Sequence, residues 1–97
     1  TEFLIEPAQS MIMTGKGSGQ DVTINPYFGK DCFTIVENIG TRPFSIRVKE
    51  GRKIIQEIPI QKSKLKKVKL LKNYELYLDP NPQGLAKARV DYEKKSE

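Results

Sequence analysis

Three features of the chain predict an all-β fold, a small antiparallel β-sandwich of about eight short strands. Apolar and polar residues alternate strictly in separate runs, as in Phe44-Ser45-Ile46-Arg47-Val48-Lys49, and half-buried alternation of this kind implies antiparallel pairing. Clusters of Gly, Pro, Asn and Asp punctuate those runs. No helix-length amphipathic segment separates them, which removes a βαβ architecture. The 97 residues suit one domain, 1–97, with one compact core and a thin margin of stability. Hydrophobic residues at 37% and charged residues at 30% match a folded chain and argue against disorder.

Glu2–Glu6 reads as a first strand and residues 9–14, around Met11 and Met13, as a second. Gly15–Gln20 carries three glycines and reads as a hairpin linker. Val22 and Ile24 then share one face of a short run that Asn25-Pro26 stops, because proline has no N–H for the ladder. Cys32–Glu37 has the β-branched and aromatic composition of a buried strand. Asn38-Ile39-Gly40-Thr41 is a turn in which Gly40 is free to take positive φ. Phe44, Ile46 and Val48 face inwards from the next strand, and Glu50-Gly51-Arg52 closes a hairpin onto Lys53–Ile60. Tyr74, Leu76 and Leu78 share a face, and Pro80–Gly84 is a loop. Ala86, Ala88, Val90 and Tyr92 line up opposite Lys87, Arg89 and Asp91, and residues 93–97 form a charged tail expected to fray.

The stretch Phe33 to Val48 sets Asn38-Ile39-Gly40-Thr41-Arg42-Pro43-Phe44 between two alternating runs. It resembles a strand–turn–strand unit of immunoglobulin-like and related sandwiches, and it carries no functional residue. The sandwich is accordingly expected to be immunoglobulin-like or jelly-roll-like.

Ser63–Lys72 admits two readings. Leu65, Val68 and Leu71 recur at every third residue, and Ser63 could cap a short amphipathic helix. Against that, no Glu or Gln at position 66 completes a capping box, and little room lies between Ile60 and Tyr74. A strand or extended edge is the favoured expectation.

The chain has no His and one Cys, Cys32. That removes Ser-His-Asp and Cys-His chemistry, the usual zinc sites and any internal disulfide. Cys32, with no base available, reads as a small core side chain, and the shortage of cysteine leans towards a reducing compartment. The 12 acids show no spacing that singles out an acid–base pair. Asp79-Pro80-Asn81-Pro82-Gln83-Gly84 lacks the alternating acids of a calcium loop, and Gly15–Gly19 lacks the spacing of a P-loop. The expectation is a protein with no catalytic residue, no metal and no cofactor. No apolar run approaches the roughly 18–20 residues that cross a bilayer, and Thr1–Ile5 does not begin as a signal peptide does.

Two segments offer something a partner could recognise. Lys62, Lys64, Lys66, Lys67, Lys69 and Lys72 place six lysines in eleven residues with no acid among them, and the run exceeds the whole net charge of +5. Such a run is either an anion-binding strip or a solvated sheet edge on which lysine blocks edge-to-edge pairing, and the edge reading is the stronger. In Asn25–Lys30, Tyr27 and Phe28 beside Lys30 would stack on a sugar ring or a base if exposed, while the competing reading buries one ring at the end of the core. The expected function is a non-enzymatic interaction or structural module, an accessory domain of a surface, capsid or envelope assembly, with another protein or a second copy as partner. The alternative is a binder of anionic polymer, acidic polysaccharide or nucleic-acid backbone, without sequence specificity, through residues 62–72.

Overall fold

The computed structural model describes residues 2–13 and 30–94. These residues form eight strands and no helix: β1 (Glu2–Ile5), β2 (Met11–Ile12), β3 (Cys32–Asn38), β4 (Phe44–Glu50), β5 (Lys53–Ile60), β6 (Leu65–Leu70), β7 (Tyr74–Asp79) and β8 (Ala86–Lys94). They make two antiparallel sheets, ordered β1-β8-β3-β6 and β2-β7-β4-β5, in a sandwich-like arrangement. Four of the pairings are nested: β4 with β5, β3 with β6, β2 with β7 and β1 with β8. The eight strands thus pair as a folded-over antiparallel ribbon would, closed at Gly51-Arg52, with successive pairs in alternate sheets.

Burial follows the period of two. Phe44, Ile46 and Val48 of β4 are buried, as are Leu76 and Leu78 of β7 and Ala86, Ala88 and Val90 of β8. Side chains from both sheets, among them Ile5, Val36, Ile60 and Leu70, close one core. Cys32 lies buried within it and takes part in no disulfide.

Two polar side chains tie the sheets together. Asn38, at the end of β3, is buried and satisfied: its amide donates to the carbonyls of Arg42 (2.8 Å) and Ile60 (3.0 Å), and its Oδ1 accepts from Gly40 N–H (3.0 Å). One side chain therefore joins the end of β3 in one sheet to the end of β5 in the other. The Tyr92 hydroxyl of β8 donates to the carbonyl of Met13, just beyond β2 (3.0 Å), and burial pushes its phenol well above the ordinary range.

Several local expectations are displaced. Gly40 does not take positive φ; among the described residues Gly51 (59°) and Ser63 (65°) do. A Cβ on Gly40 would stand 3.1 Å from the Cβ and the backbone nitrogen of Lys87, so the close passage of β8 favours glycine there, and a larger residue would need Lys87 to give by a few tenths of an ångström. Gly51 supplies positive φ at the first central position of the two-residue β4–β5 hairpin, the conformation such turns need. Of the tail 93–97, Glu93 and Lys94 belong to β8 and pair with Phe33 and Cys32, because β3 extends far enough to give them ladder partners, and residues 95–97 lie outside the described residues. The second strand is shorter than the run 9–14, with only Met11 and Ile12 opposite β7. The run Asp21–Ile24 lies outside the described residues.

Residues 63–72 are extended. Val68 and Leu70 of β6 are buried while Leu65 and Leu71 are exposed, so the period of two prevails over the period of three. Ser63 caps nothing: it occupies a turn in which Lys64 N–H donates to the Gln61 carbonyl (3.0 Å).

Candidate functional site

β6 is an outer strand of its sheet, and this position decides what its lysines can do. The ladder to β3 sets Lys69 opposite Phe33, Lys67 opposite Ile35 and Lys66 opposite Val36. Alternation directs Lys67 and Lys69 to the outer face, with Leu65, and Lys66 to the side of Val68 and Leu70. Lys62 and Lys64 flank Ser63 in the turn before the strand. Lys72 lies in the turn after it, with its backbone N–H on Asp31 Oδ1 (3.0 Å). All six are exposed. The run is therefore a margin that projects to both sides of an edge along roughly 20 Å of strand, rather than a strip on one face.

Lys67 is engaged. It forms an ion pair with Glu93 (2.9 Å) and stands 4.8 Å over the Phe33 ring. Among the described residues the other five lysines form no ion pair. On the same outer face the cations of β8 are matched: Arg89 bonds to Glu2 (3.2 Å) and Glu37 (3.3 Å), and Lys87 reaches Glu2 (3.5 Å). The hydrogen bond from Arg89, followed by the charge of Lys87, holds the Glu2 carboxyl below its ordinary value.

The outer face of the second sheet centres on Tyr77. Arg47 lies 4.6 Å and Lys49 5.5 Å from its ring centre, and Arg47 pairs with Asp79 (3.1 Å). Burial, then the charge of Glu75, raises the Tyr77 phenol. Asp79 also accepts from the Ser10 hydroxyl (2.7 Å). Asn81 Oδ1 accepts from Gln83 N–H (2.8 Å) and its amide donates to the Pro43 carbonyl (3.1 Å). The oxygens of loop 79–84 thus hold the turn together. Among the described residues no group of three His, Cys, Asp or Glu side chains is placed to hold a metal. A depression of about 210 Å³ opens beside this loop, lined by Pro43, Phe44, Ser45, Pro59, Asn81 and two further prolines.

Of the aromatic segment, Lys30 is exposed just before β3, and Tyr27 and Phe28 lie outside the described residues.

One feature escapes a reading of the chain by alternation alone. β5 is also an outer strand, and its register with β4 slips: Val48 faces Gln56 and Lys49 faces Ile54, so Ile55 is an extra residue. Ile54 and Ile55 are both exposed. Two adjacent isoleucines break the period of two, and that break is the signal in the sequence.

Comparison with protein-family models, with curated proteins and with solved structures returns no match for this chain.

Proposed function

We propose that this chain is a non-enzymatic interaction or structural module, an accessory domain of a surface, capsid or envelope assembly, wound as a jelly roll. The observation that carries the reading is the nested pairing of the eight strands. Two sheets wrapped from one folded-over ribbon are the jelly-roll pattern. An immunoglobulin order would place the first two strands side by side in one sheet, whereas β1 and β2 lie in different sheets. Such a winding gathers its loops at two poles and leaves outer strands along two flanks, and these are the surfaces through which a sandwich meets partners, by analogy of fold. The absence of histidine from the chain and the commitment of Asp79, Glu2, Glu37 and Glu93 to cationic partners support a role without catalysis. No helix among the described residues is long and apolar enough to cross a membrane. The partner is another protein or a second copy. Sedimentation velocity over a range of concentrations tests the assembly role: reversible association is expected, and a chain that stays monomeric to about 1 mM would remove it.

A second reading, a binder of anionic polymer through Lys62–Lys72, is favoured by the five lysines that have no carboxylate partner among the described residues. Heparin or single-stranded DNA should then bind at low salt and release steeply as salt rises, since each phosphate contact frees a counterion. Replacing Lys64, Lys66, Lys67 and Lys69 by Gln should flatten that slope. No binding by the parent at low salt removes this reading.

A further inference from the structure

The register of the strands gathers one pole of the sandwich from distant parts of the chain. Glu50 pairs with Tyr74, so the Gly51-Arg52 turn and the turn 71–73 are neighbours. Cys32 pairs with both Leu70 and Lys94, so Lys30, Lys72 and Lys94 finish the same end of the other sheet. Three of the six large apolar side chains exposed among the described residues collect here: Ile54 (48% exposed), Ile55 (37%) and Leu71 (37%). The bulge is responsible for two of them, since it turns Ile54 to the outer face opposite Lys49 and leaves Ile55 without an opposite residue.

Cations surround this apolar group. Lys49, Arg52 and Lys53 belong to the hairpin, and Lys30, Lys72 and Lys94 to the adjoining ends of β3, β6 and β8. Four acids stand nearby: Asp31 accepts the Lys72 backbone N–H, Glu93 is paired with Lys67, Glu75 lies opposite Lys49, and Glu50 closes the hairpin opposite Lys53, so the six cations outnumber them. The pole therefore combines exposed aliphatic side chains with a surplus of positive charge.

We propose that this pole docks on the surface of an anionic lipid bilayer, with Ile54, Ile55 and Leu71 entering the boundary between headgroups and acyl chains and the surrounding cations meeting the lipid phosphates. A soluble polyanion would account for the cations but not for the isoleucines. A second copy added as a strand along β5 is disfavoured by the backbone, because the bulge interrupts the ladder and Pro59 offers no N–H. Aliphatic side chains beside basic ones are what an interfacial site uses, the first set by burial and the second by attraction to the leaflet. Docking of this kind is independent of the assembly role proposed above.

The test is co-sedimentation of the full chain with phosphatidylcholine vesicles, with and without about 30% phosphatidylserine, at two salt concentrations. Binding to the anionic vesicles is expected, at least about tenfold stronger than to neutral ones. The pair Ile54→Ser and Ile55→Ser should weaken it about tenfold or more. Arg52→Gln, Lys53→Gln and Lys72→Gln together should weaken it and reduce its dependence on salt. Lys62→Gln, Lys64→Gln and Lys66→Gln together, nearer the other end of β6, should leave it within about twofold. A second readout removes no cation: the chain has no tryptophan, so Ile55→Trp provides a single reporter whose emission should shift to the blue on anionic vesicles only. Absence of binding to anionic vesicles overturns the proposal, as does unchanged binding of the serine pair. Loss confined to the Lys62, Lys64 and Lys66 variant would assign the binding to the lysine edge instead. Self-association without vesicles that the serine pair abolishes would assign the pole to a second copy.

Discussion

β5 and β6 follow one another in the chain, and each is an outer strand of its sheet, yet they protect their open edges by different means. β6 is regular. It pairs with β3 at six consecutive positions, and lysines along and around it guard the edge by charge. β5 carries one lysine and one glutamate, Lys53 and Glu57, and is guarded by its backbone, through the bulge at Ile55 and through Pro59. The difference has a consequence for the surface. Charge protects an edge without changing which way side chains point. A bulge protects it by changing that pointing, and so brings Ile54 and Ile55 into solvent on a strand whose far end is anchored in the core.

That contrast can be tested within β5 alone. Ile60→Ala should cost roughly 3–4 kcal/mol, because Ile60 is buried among residues of both sheets. Ile54→Ala should cost less than about 0.5 kcal/mol, because its side chain stands on the surface. Denaturant titration of the two variants measures the difference, and equal losses would mean that the register at Val48 and Lys49 is wrong.

The link between β3 and β5 comes next in size. Asn38→Ala should destabilise by about 2–3 kcal/mol, since it strips the Ile60 and Arg42 carbonyls of their donor. A loss below about 0.5 kcal/mol in the same titration would show that water replaces the amide at little cost.

The two kinds of guard should also fail differently. Replacing Lys64, Lys66, Lys67 and Lys69 by Gln should raise self-association while leaving the fold intact, because the regular ladder of β6 is then open to a second chain. Pro59→Thr restores one N–H to β5 but leaves the bulge, and it should raise association less. Light scattering at matched concentrations compares them, and a larger rise for Pro59→Thr would reverse the assignment of the better-formed edge. The smallest effect is expected at Lys67→Gln. Its exposed pair with Glu93 should be worth no more than about 0.5 kcal/mol, and chemical denaturation at low and high salt would reveal any larger role.

The candidate surfaces were legible to different degrees. The lysine run is visible as charge from residues 62–72 alone, but its spread over two sides of an edge is not, because that depends on which strand is outermost. The basic and apolar pole is less visible still: Lys30, Arg52, Leu71 and Lys94 are far apart in the chain and meet only through the pairings of Glu50 with Tyr74 and of Cys32 with Leu70 and Lys94.

Alternation by itself determined the strands and their inward rows, as at Phe44, Ile46 and Val48 and at Ala86, Ala88 and Val90, because the direction of a strand's side chains is a local property with a period of two. Local pattern could not settle residues 63–72, where Leu65, Val68 and Leu71 keep a helical spacing. The tertiary structure decided it, since β3 takes a partner along Cys32–Glu37 and the sandwich buries only Val68 and Leu70 behind that ladder. It also decided why residue 40 is glycine, what Asn38 holds and where β5 bulges. Each of those depends on a neighbour distant in sequence: β8 against Gly40, Ile60 against Asn38, and for Ile54 and Ile55 a hairpin register in which two residues compete for one position opposite β4.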